Sequence, residues 1–280
     1  MPISPHPTVW AAFFILASVS AGNGASNYAT SFEAPTFSPG TVQGQDRWVS
    51  GAYTNASSNN PGTAAVISAT NPSVGSQSLL LDGSKFALND FGVWAGRALN
   101  FQSAIGQSSV LVQADVALFG PGNSSGAEYA TFAAQGQQEF ELNSSLFGRW
   151  IMSSDGLVSA LVYNDFNHTF STVFTTPITL GEYYILGIQI DFDQRTVGFL
   201  FNGLVVASSP YNPAILQDTL VAAPVELLGS SATSLLSYKA HFDNYVMAPA
   251  IPVPVPEPAS AFLILSGSIF GLLLQRRLRK

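Results

Sequence analysis

Two pairs of carboxylates stand at a spacing that the hydrolysis of a glycosidic bond could use. Glu139 and Glu141 form one pair, and Asp191 and Asp193 form the other. Because side chains two positions apart on a β-strand share a face, each pair could place two acids beside one sugar–sugar bond. The competing interpretation is that all four are polar residues on solvent-facing strands and turns. We favour it, and we predict no catalytic residue.

The other arrangements of catalytic residues are missing from the sequence. Neither acid pair continues into the Glu-x-Asp-x-x-Glu pattern of laminarinase-like glucanases, because Leu142, Asn143 and Ser144 follow the second glutamate of the first pair. His168 and His241 are the only histidines after the N-terminal apolar segment, and the Gly-x-Ser-x-Gly match at Gly122–Gly126 falls in a Gly- and Ser-rich turn cluster rather than between a strand and a helix. These observations argue against a nucleophile triad.

Metal binding receives little support. The chain has no cysteine and its histidines are scattered, so we expect no zinc site. Calcium needs only oxygen ligands, and Asp82, Asp90 or Asp243 could contribute to a structural calcium site. We favour a turn-stabilising role for each aspartate. We therefore predict no cofactor.

Sugar binding is the more serious possibility for a non-catalytic chain. Such sites usually combine aromatic platforms with polar side chains, and four aromatic residues lie near polar loops: Trp48, Tyr53, Trp94 and Trp150. A buried role in the core is the favoured interpretation for any one of them, since large aromatic side chains dominate core burial. The sequence leaves open which of them is exposed, so no ligand-binding residue is assigned.

The segments that must position these residues have the alternating pattern of β-strands. In Ser109–Phe119 every second residue from Val110 to Leu118 is apolar, while Gln113 and Asp115 fall between them. This period of two is typical of a strand with one buried face.

A second region predicts three antiparallel strands in succession. Tyr183–Asp193 alternates in the same way, and a short turn leads into Thr196–Phe201. Asn202-Gly203 then suits a two-residue type I′ hairpin, in which both central residues need a positive φ, and Leu204–Ala207 returns.

Further strands are predicted at shorter alternating runs between turn-rich segments. They are Ala64–Ala69, Ser78–Asp82, Tyr129–Ala133, Gly148–Met152, Leu157–Tyr163, Thr169–Phe174 and Tyr238–Met247. Many short strands with Gly-, Asn- and Ser-rich turns predict an all-β fold. We expect a jelly-roll-like antiparallel β-sandwich over residues 26–248.

The charge of this domain excludes one class of partner. Residues 22–250 contain 16 acids (17 less Glu257) and 6 bases (10 less the four at the C-terminus), which gives a net charge of −10. Nucleic-acid binding needs a basic surface, so we expect no nucleic-acid partner. With no cysteine, no disulfide stabilises the fold, and apolar burial must do so.

Both ends of the chain indicate export. Residues 1–25 contain the apolar run Val9–Ala21 followed by small residues, as in a signal peptide. Near the C-terminus a proline-rich linker, residues 249–258, precedes an uncharged apolar segment, residues 259–274, which we predict to be a short transmembrane helix. Residues 275–280 form a basic tail. Its cations, which should keep the tail in the cytoplasm, are Arg276, Arg277, Arg279 and Lys280.

The order of these C-terminal parts resembles the PEP-CTERM sorting signal of bacteria with outer membranes. The motif comprises Val255, Pro256, Glu257 and Pro258, directly before the apolar span and the basic end. The resemblance implies processing by a membrane protease of the exosortase type. It also implies delivery from the inner membrane to the cell surface or to an exopolysaccharide matrix.

The ectodomain resembles the jelly rolls of concanavalin-like and laminin-G-like proteins. The similarity rests on Ile178–Val206, with its Asn-Gly hairpin, and on His241–Ala248 as a closing strand; Ser31–Trp48 is similar to the opening of sandwich domains that precede this sorting tail. Because the acid triplet and a triad are missing and the tail resembles a sorting signal, we predict a non-catalytic surface or matrix protein, with carbohydrate binding left open. The alternative is a secreted carbohydrate-active enzyme on a concanavalin-like fold.

Overall fold

The computed structural model describes residues 27–54, 64–86, 90–102, 108–136, 146–164, 169–213, 215 and 219–250. Nearly all regular structure in this part of the chain is β-strand. The first nine strands are β1 (Tyr28–Thr30), β2 (Gly40–Thr41), β3 (Trp48–Thr54), β4 (Ala65–Ser68), β5 (Ser78–Asp82), β6 (Asp90–Gln102), β7 (Ser109–Phe119), β8 (Tyr129–Gly136) and β9 (Leu146–Ser153). The others are β10 (Leu157–Asn164), β11 (Thr169–Pro177), β12 (Tyr184–Asp191), β13 (Thr196–Phe201), β14 (Leu204–Pro210), β15 (Thr219–Ala222), β16 (Val225–Leu228) and β17 (Lys239–Pro249). One short helix, α1 (Ala232–Leu235), precedes β17.

The strands form two antiparallel sheets. The first sheet has the order β14-β13-β12-β7-β17-β5-β4-β2, and β1 also pairs with β17. The second has the order β11-β10-β9-β8-β15-β6-β16, with β3 on β6 and an additional pairing of β8 with β16. Closing strand β17 lies between β7 and β5, so the end of the domain is held in the middle of the first sheet. This arrangement confirms the predicted all-β antiparallel sandwich.

Alternation along each strand explains which face is buried. In β7 the apolar side chains from Val110 to Leu118 are almost fully buried in the core, as their spacing predicts. Asp115 lies on the opposite face of the strand but is also buried, because residues Ser73 and Asn244 cover it and hydrogen-bond to its carboxylate.

The predicted β12–β13–β14 meander is present with its tight turn. Asn202 has φ 50° and Gly203 has φ 79°, so both central residues are left-handed, as a type I′ turn requires. Asn202 also binds the neighbouring strand, since its side-chain oxygen accepts a 3.0 Å hydrogen bond from the Ile185 amide.

Aromatic side chains fill the space between the sheets. Trp150 on β9 is fully buried, donates from its indole nitrogen to the carbonyl of Gly187 at 2.9 Å, and meets Phe199 edge-on at 5.6 Å between ring centroids. Trp48 on β3 is equally buried and donates to the hydroxyl of Tyr28 at 3.0 Å. Both indole N–H groups are therefore satisfied where water is excluded.

Several predicted features lie outside the described residues. They are the signal peptide (1–25), Val255–Pro258, the apolar segment 259–274, the basic tail 275–280, Glu139, Glu141 and His168. In the part of the chain that the structure does describe, no helix has both the length and the apolar character to cross a membrane.

Candidate functional site

The second sheet has one face in the core and one face directed outward. On β6 the buried residues Val93 and Ala95 flank Trp94, and on β16 the buried Val225 and Leu227 flank Glu226. Because neighbouring residues on a strand point to opposite faces, Trp94 and Glu226 lie on the outward face.

Strand register brings residues from distant parts of the sequence together on this face. Glu226 is the Cα partner of both Trp94 on β6 and Thr131 on β8, which places the three in one row across the sheet. Arg149 on β9 and Tyr53 on β3 contact the same carboxylate from either side. We call these five residues the outer-face site.

Glu226 is the centre of this site and only 3% of it is exposed. The Tyr53 hydroxyl donates to Oε1 at 2.6 Å, and the Thr131 hydroxyl donates to Oε2 at 2.7 Å. The Arg149 Nη2 lies 3.8 Å from Oε2. This buried carboxylate therefore has a hydrogen-bond donor on each of its oxygens and a cation beside it, so its polar atoms are satisfied within the protein.

The tyrosines around Glu226 remain neutral hydrogen-bond donors. Burial raises the pKa of Tyr53 well above its ordinary value, and the negative charge of Glu226 raises it further. Burial also raises the pKa of Tyr129, although the Arg149 cation acts in the opposite direction. Neither phenol therefore ionises near neutral pH.

Two glycines make room for the aromatic side chains of the site. A Cβ on Gly51 would lie 2.8 Å from the indole of Trp94, so the ring rests directly on the backbone of β3. A Cβ on Gly92 would lie 3.0 Å from the Tyr53 ring, which also stacks on Phe91 at 5.8 Å between centroids. These glycines are needed for close approach rather than for an unusual φ.

The aromatic surface continues toward the edge strand β11. The Arg149 guanidinium lies 5.3 Å from the centre of the Phe170 ring, and Phe170 meets Tyr163 edge-on at 5.2 Å. Five strand spacings of about 4.8 Å separate β6 from β11, so this face extends roughly 24 Å across the strands. That length is sufficient for several units of a polymer.

The predicted aromatic candidates divide between the core and this face. Trp48 and Trp150 are buried core residues, as expected. The expectation of a core role was wrong for Tyr53 and Trp94, which are partly buried on the outward face and are not among the core residues. They lie on strands β3 and β6, neither of which the sequence pattern predicted.

The predicted acid pair at the end of β12 does not form a site. Asp193 is exposed in the turn, as expected. Asp191 was expected to face solvent, but only 3% of it is exposed, and its Oδ1 accepts a 2.9 Å hydrogen bond from the Gln194 amide. The prediction was wrong for Asp191, because its carboxylate is buried and stabilises the turn that follows β12.

The aspartates considered for calcium have turn-stabilising contacts. Asp82 accepts from the amide and hydroxyl of Ser84, and Asp243 accepts from the amides of Ser73 and Val74, both at 3.1 Å. The side chain of Asp90 is not among those described. Within the described ranges no group of three or more His, Cys, Asp or Glu residues is arranged to hold a metal ion.

The sequence interpretation overlooked the residues that define the outer-face site, above all Glu226, Thr131 and Arg149. One local signal pointed to Glu226. It is the only polar residue in the four-residue strand Val225–Leu228, and a lone charge within an apolar strand either faces outward or has a buried partner. Arg149 and Thr131 carry no comparable signal, because their neighbours alternate without strong contrast.

The fold is similar to that of solved β-sandwich structures. A glycoside hydrolase family 16 endo-glucanase from Bacteroides ovatus is similar over 79% of this chain and 98% of its own, at 10% identity and a TM-score of 0.50. At that identity the similarity shows the fold alone, which is a jelly-roll-like antiparallel sandwich.

Two further solved structures are similar at lower scores. Alginate lyase A1-II′, of polysaccharide lyase family 7, matches 74% of this chain and 96% of its own, with 11% identity and a TM-score of 0.49. The Emp47p carbohydrate recognition domain matches 82% of this chain and all of its own, with 8% identity and a TM-score of 0.47. No protein-family model matches the chain, and no curated protein matches its sequence.

Proposed function

We propose that this chain is an exported surface or extracellular-matrix protein that binds polysaccharide through the outer-face site and does not cleave it. The observation that carries the proposal is the placement of the partly exposed Trp94 and Tyr53 beside the Glu226–Arg149 pair. Apolar ring faces with a few fixed polar groups are the composition expected of a small-ligand site.

Sugars offer a kind of surface that this site can contact. Their C–H faces stack on aromatic rings, and Trp94 is held against Gly51 so that its ring is fixed in place. The buried polar members Glu226, Arg149 and Thr131 bond within the site and hold the Tyr53 side chain in position. The endo-glucanase with this fold was solved in complex with G4G3G-2F-DNP, an observation that supports a saccharide as the ligand class.

The binding role is favoured over catalysis because of how Glu226 is held. Hydrolysis of a glycosidic bond generally needs two carboxylates, one of which must carry a proton as the acid. Both Glu226 oxygens accept hydrogen bonds from within the site and the cation Arg149 lies nearby, so the contacts of Glu226 are those of a residue that holds the site together. Glu226 is the one carboxylate among the five residues of the outer-face site.

A secreted carbohydrate-active enzyme is the second candidate, and the observation that favours it is Glu226 itself. A buried carboxylate in the middle of an aromatic face is the kind of group that a glycosidase uses as nucleophile or base. Its partner acid would have to come from the undescribed segments, where Glu139 and Glu141 lie. Release of reducing ends from β-glucan, lost in Glu226→Gln, would support this candidate.

The termini complete the proposal with a route to the cell surface. The motif Val255–Pro258 before the apolar segment 259–274 supports sorting by an exosortase-type protease, with the basic tail held in the cytoplasm. In this proposal the span anchors the protein in the inner membrane only until cleavage. The freed sandwich then reaches the surface or an exopolysaccharide matrix.

Native affinity electrophoresis of the full chain in detergent tests the binding role. The gels contain mixed-linkage β-glucan, xyloglucan or galactomannan, and we expect at least one polymer to retard the protein. Trp94→Ala should abolish the retardation. Leu204→Ala, at a residue that is 72% exposed on the first sheet, is the matched control and should leave it unchanged. Equal retardation of both variants would refute the assignment of the site.

A further inference from the structure

We infer that the outer-face site selects uncharged polysaccharides and excludes polymers that carry carboxylate or sulfate groups. This inference rests on the proposed function and adds the class of polymer. It is carried by the balance of charge within the site and by the positions of the other basic residues.

The charges inside the site cancel. Arg149 is 7% exposed and Glu226 is 3% exposed, and the two lie 3.8 Å apart at their nearest charged atoms. The remaining members, Tyr53, Trp94 and Thr131, are neutral. A polyanion bound here would have to compete with Glu226 for Arg149, and breaking a buried pair leaves a carboxylate without its cation, which is strongly unfavourable.

The other described cations are used elsewhere. Arg97 pairs with Asp46 at 3.6 Å, Lys239 on β17 pairs with Asp82 at 3.6 Å, and Arg195 donates to the carbonyl of Ile215 at 2.8 Å. Lys239 and Arg195 belong to the first sheet or its turns. Arg97 is two positions from the inward-facing Ala95 on β6, and alternate residues of a strand share a face, so Arg97 lies on the core side. Its guanidinium stacks over the Tyr28 ring.

The last two bases of residues 22–250 lie in turns rather than on the outward face. Arg47 is in the 3₁₀ turn before β3, and Lys85 is in the one after β5. No basic surface on this face therefore offsets the net charge of −10 over residues 22–250. That negative charge repels a polyanion at low ionic strength. A neutral polymer experiences no such repulsion.

The test compares neutral and anionic polymers against the full chain in detergent. The probes are mixed-linkage β-glucan and galactomannan as neutral polymers, and alginate and polygalacturonate as anionic ones, at about 10 mM salt, where charge effects extend furthest. We expect the neutral probe that binds best to retard the protein at a concentration at least tenfold below that of either anionic probe.

Two variants separate the possible outcomes. Glu226→Gln removes the negative charge beside Arg149, so it should gain binding to alginate that disappears at about 0.5 M salt; a thermal melt confirms that the variant is folded. One outcome would overturn the inference: alginate or polygalacturonate retards the wild-type protein more than the neutral probes do, and Trp94→Ala abolishes that retardation. The assignment of the site would then still hold. Failure of these four polymers and of xyloglucan to bind would overturn the proposed function itself.

Discussion

The hydrogen bond from Tyr53 to Glu226 should be among the strongest single polar contacts that can be removed from this domain. Tyr53→Phe deletes only the hydroxyl and leaves the ring on Phe91. The lost bond is 2.6 Å long and its acceptor is a carboxylate that is 3% exposed. Hydrogen bonds to charged groups contribute about 1.5–3 kcal/mol, and the upper part of this range applies when the partner is left buried and unsatisfied.

A tyrosine–glutamate contact at the surface provides the control. The Tyr184 hydroxyl donates to Glu182 Oε2 at 3.0 Å and accepts from the Thr179 amide at 2.9 Å, and both Glu182 and Thr179 are exposed. Water replaces that contact in Tyr184→Phe, so we expect a loss of only about 0.5 kcal/mol.

Urea unfolding followed by tryptophan fluorescence measures both variants. Tyr53→Phe should lower the free energy of unfolding by about 2 kcal/mol, which for a domain of this size corresponds to a fall in Tm of roughly 4–8 °C. If Tyr53→Phe loses no more than Tyr184→Phe, then Glu226 is solvated rather than buried and the description of the site is wrong.

Three other predictions concern packing, pH and processing. Gly51→Ala should weaken retardation by polysaccharide without unfolding the protein, because the added Cβ displaces the Trp94 ring; a variant that binds as wild type would show that the ring position is unimportant. Burial lowers the pKa of His241 to about 4 from the unfolded value of about 6.5. The neutral side chain therefore contributes its full stabilisation above about pH 6.5, and this stabilisation is lost as the pH falls toward 4. His241→Gln should therefore remove up to about 3 kcal/mol of the acid dependence of urea unfolding between those pH values, and an unchanged dependence would contradict this account. Mass spectrometry of the surface-associated protein in its own host should recover no peptide from residues 275–280, and Glu257→Ala should restore such peptides; their presence in wild type would mean that the tail is a permanent anchor.

Strand identity was the part of the fold that local sequence determined well. The alternation in β7 and β12 and the Asn202-Gly203 turn are properties of neighbouring residues, so they can be read without knowing what lies across the sheet. Strand β6, with 13 residues, was missed although it is the longest in the described chain. Its glycines at Gly92 and Gly96 and the lone Trp94 interrupt the apolar alternation that marks a strand.

The site depended on pairings that no local pattern specifies. Tyr53 and Glu226 are 173 positions apart in the chain, and Thr131 and Glu226 are 95 apart, yet hydrogen bonds join each pair. A period of two says that a strand has two faces, but it does not say which strand is its neighbour or in what register the two pair.

The sequence by itself determined that this chain is an all-β sandwich and that its domain is acidic, and it predicts export and sorting signals at the termini. Only the tertiary structure decided that Trp48 and Trp150 belong to the core while Tyr53 and Trp94 face outward beside Glu226. The physical reason is that burial of an aromatic or charged side chain depends on what the opposite sheet and the adjacent strands place against it. Those contacts form between residues that are distant in sequence, so local alternation carries no information about them.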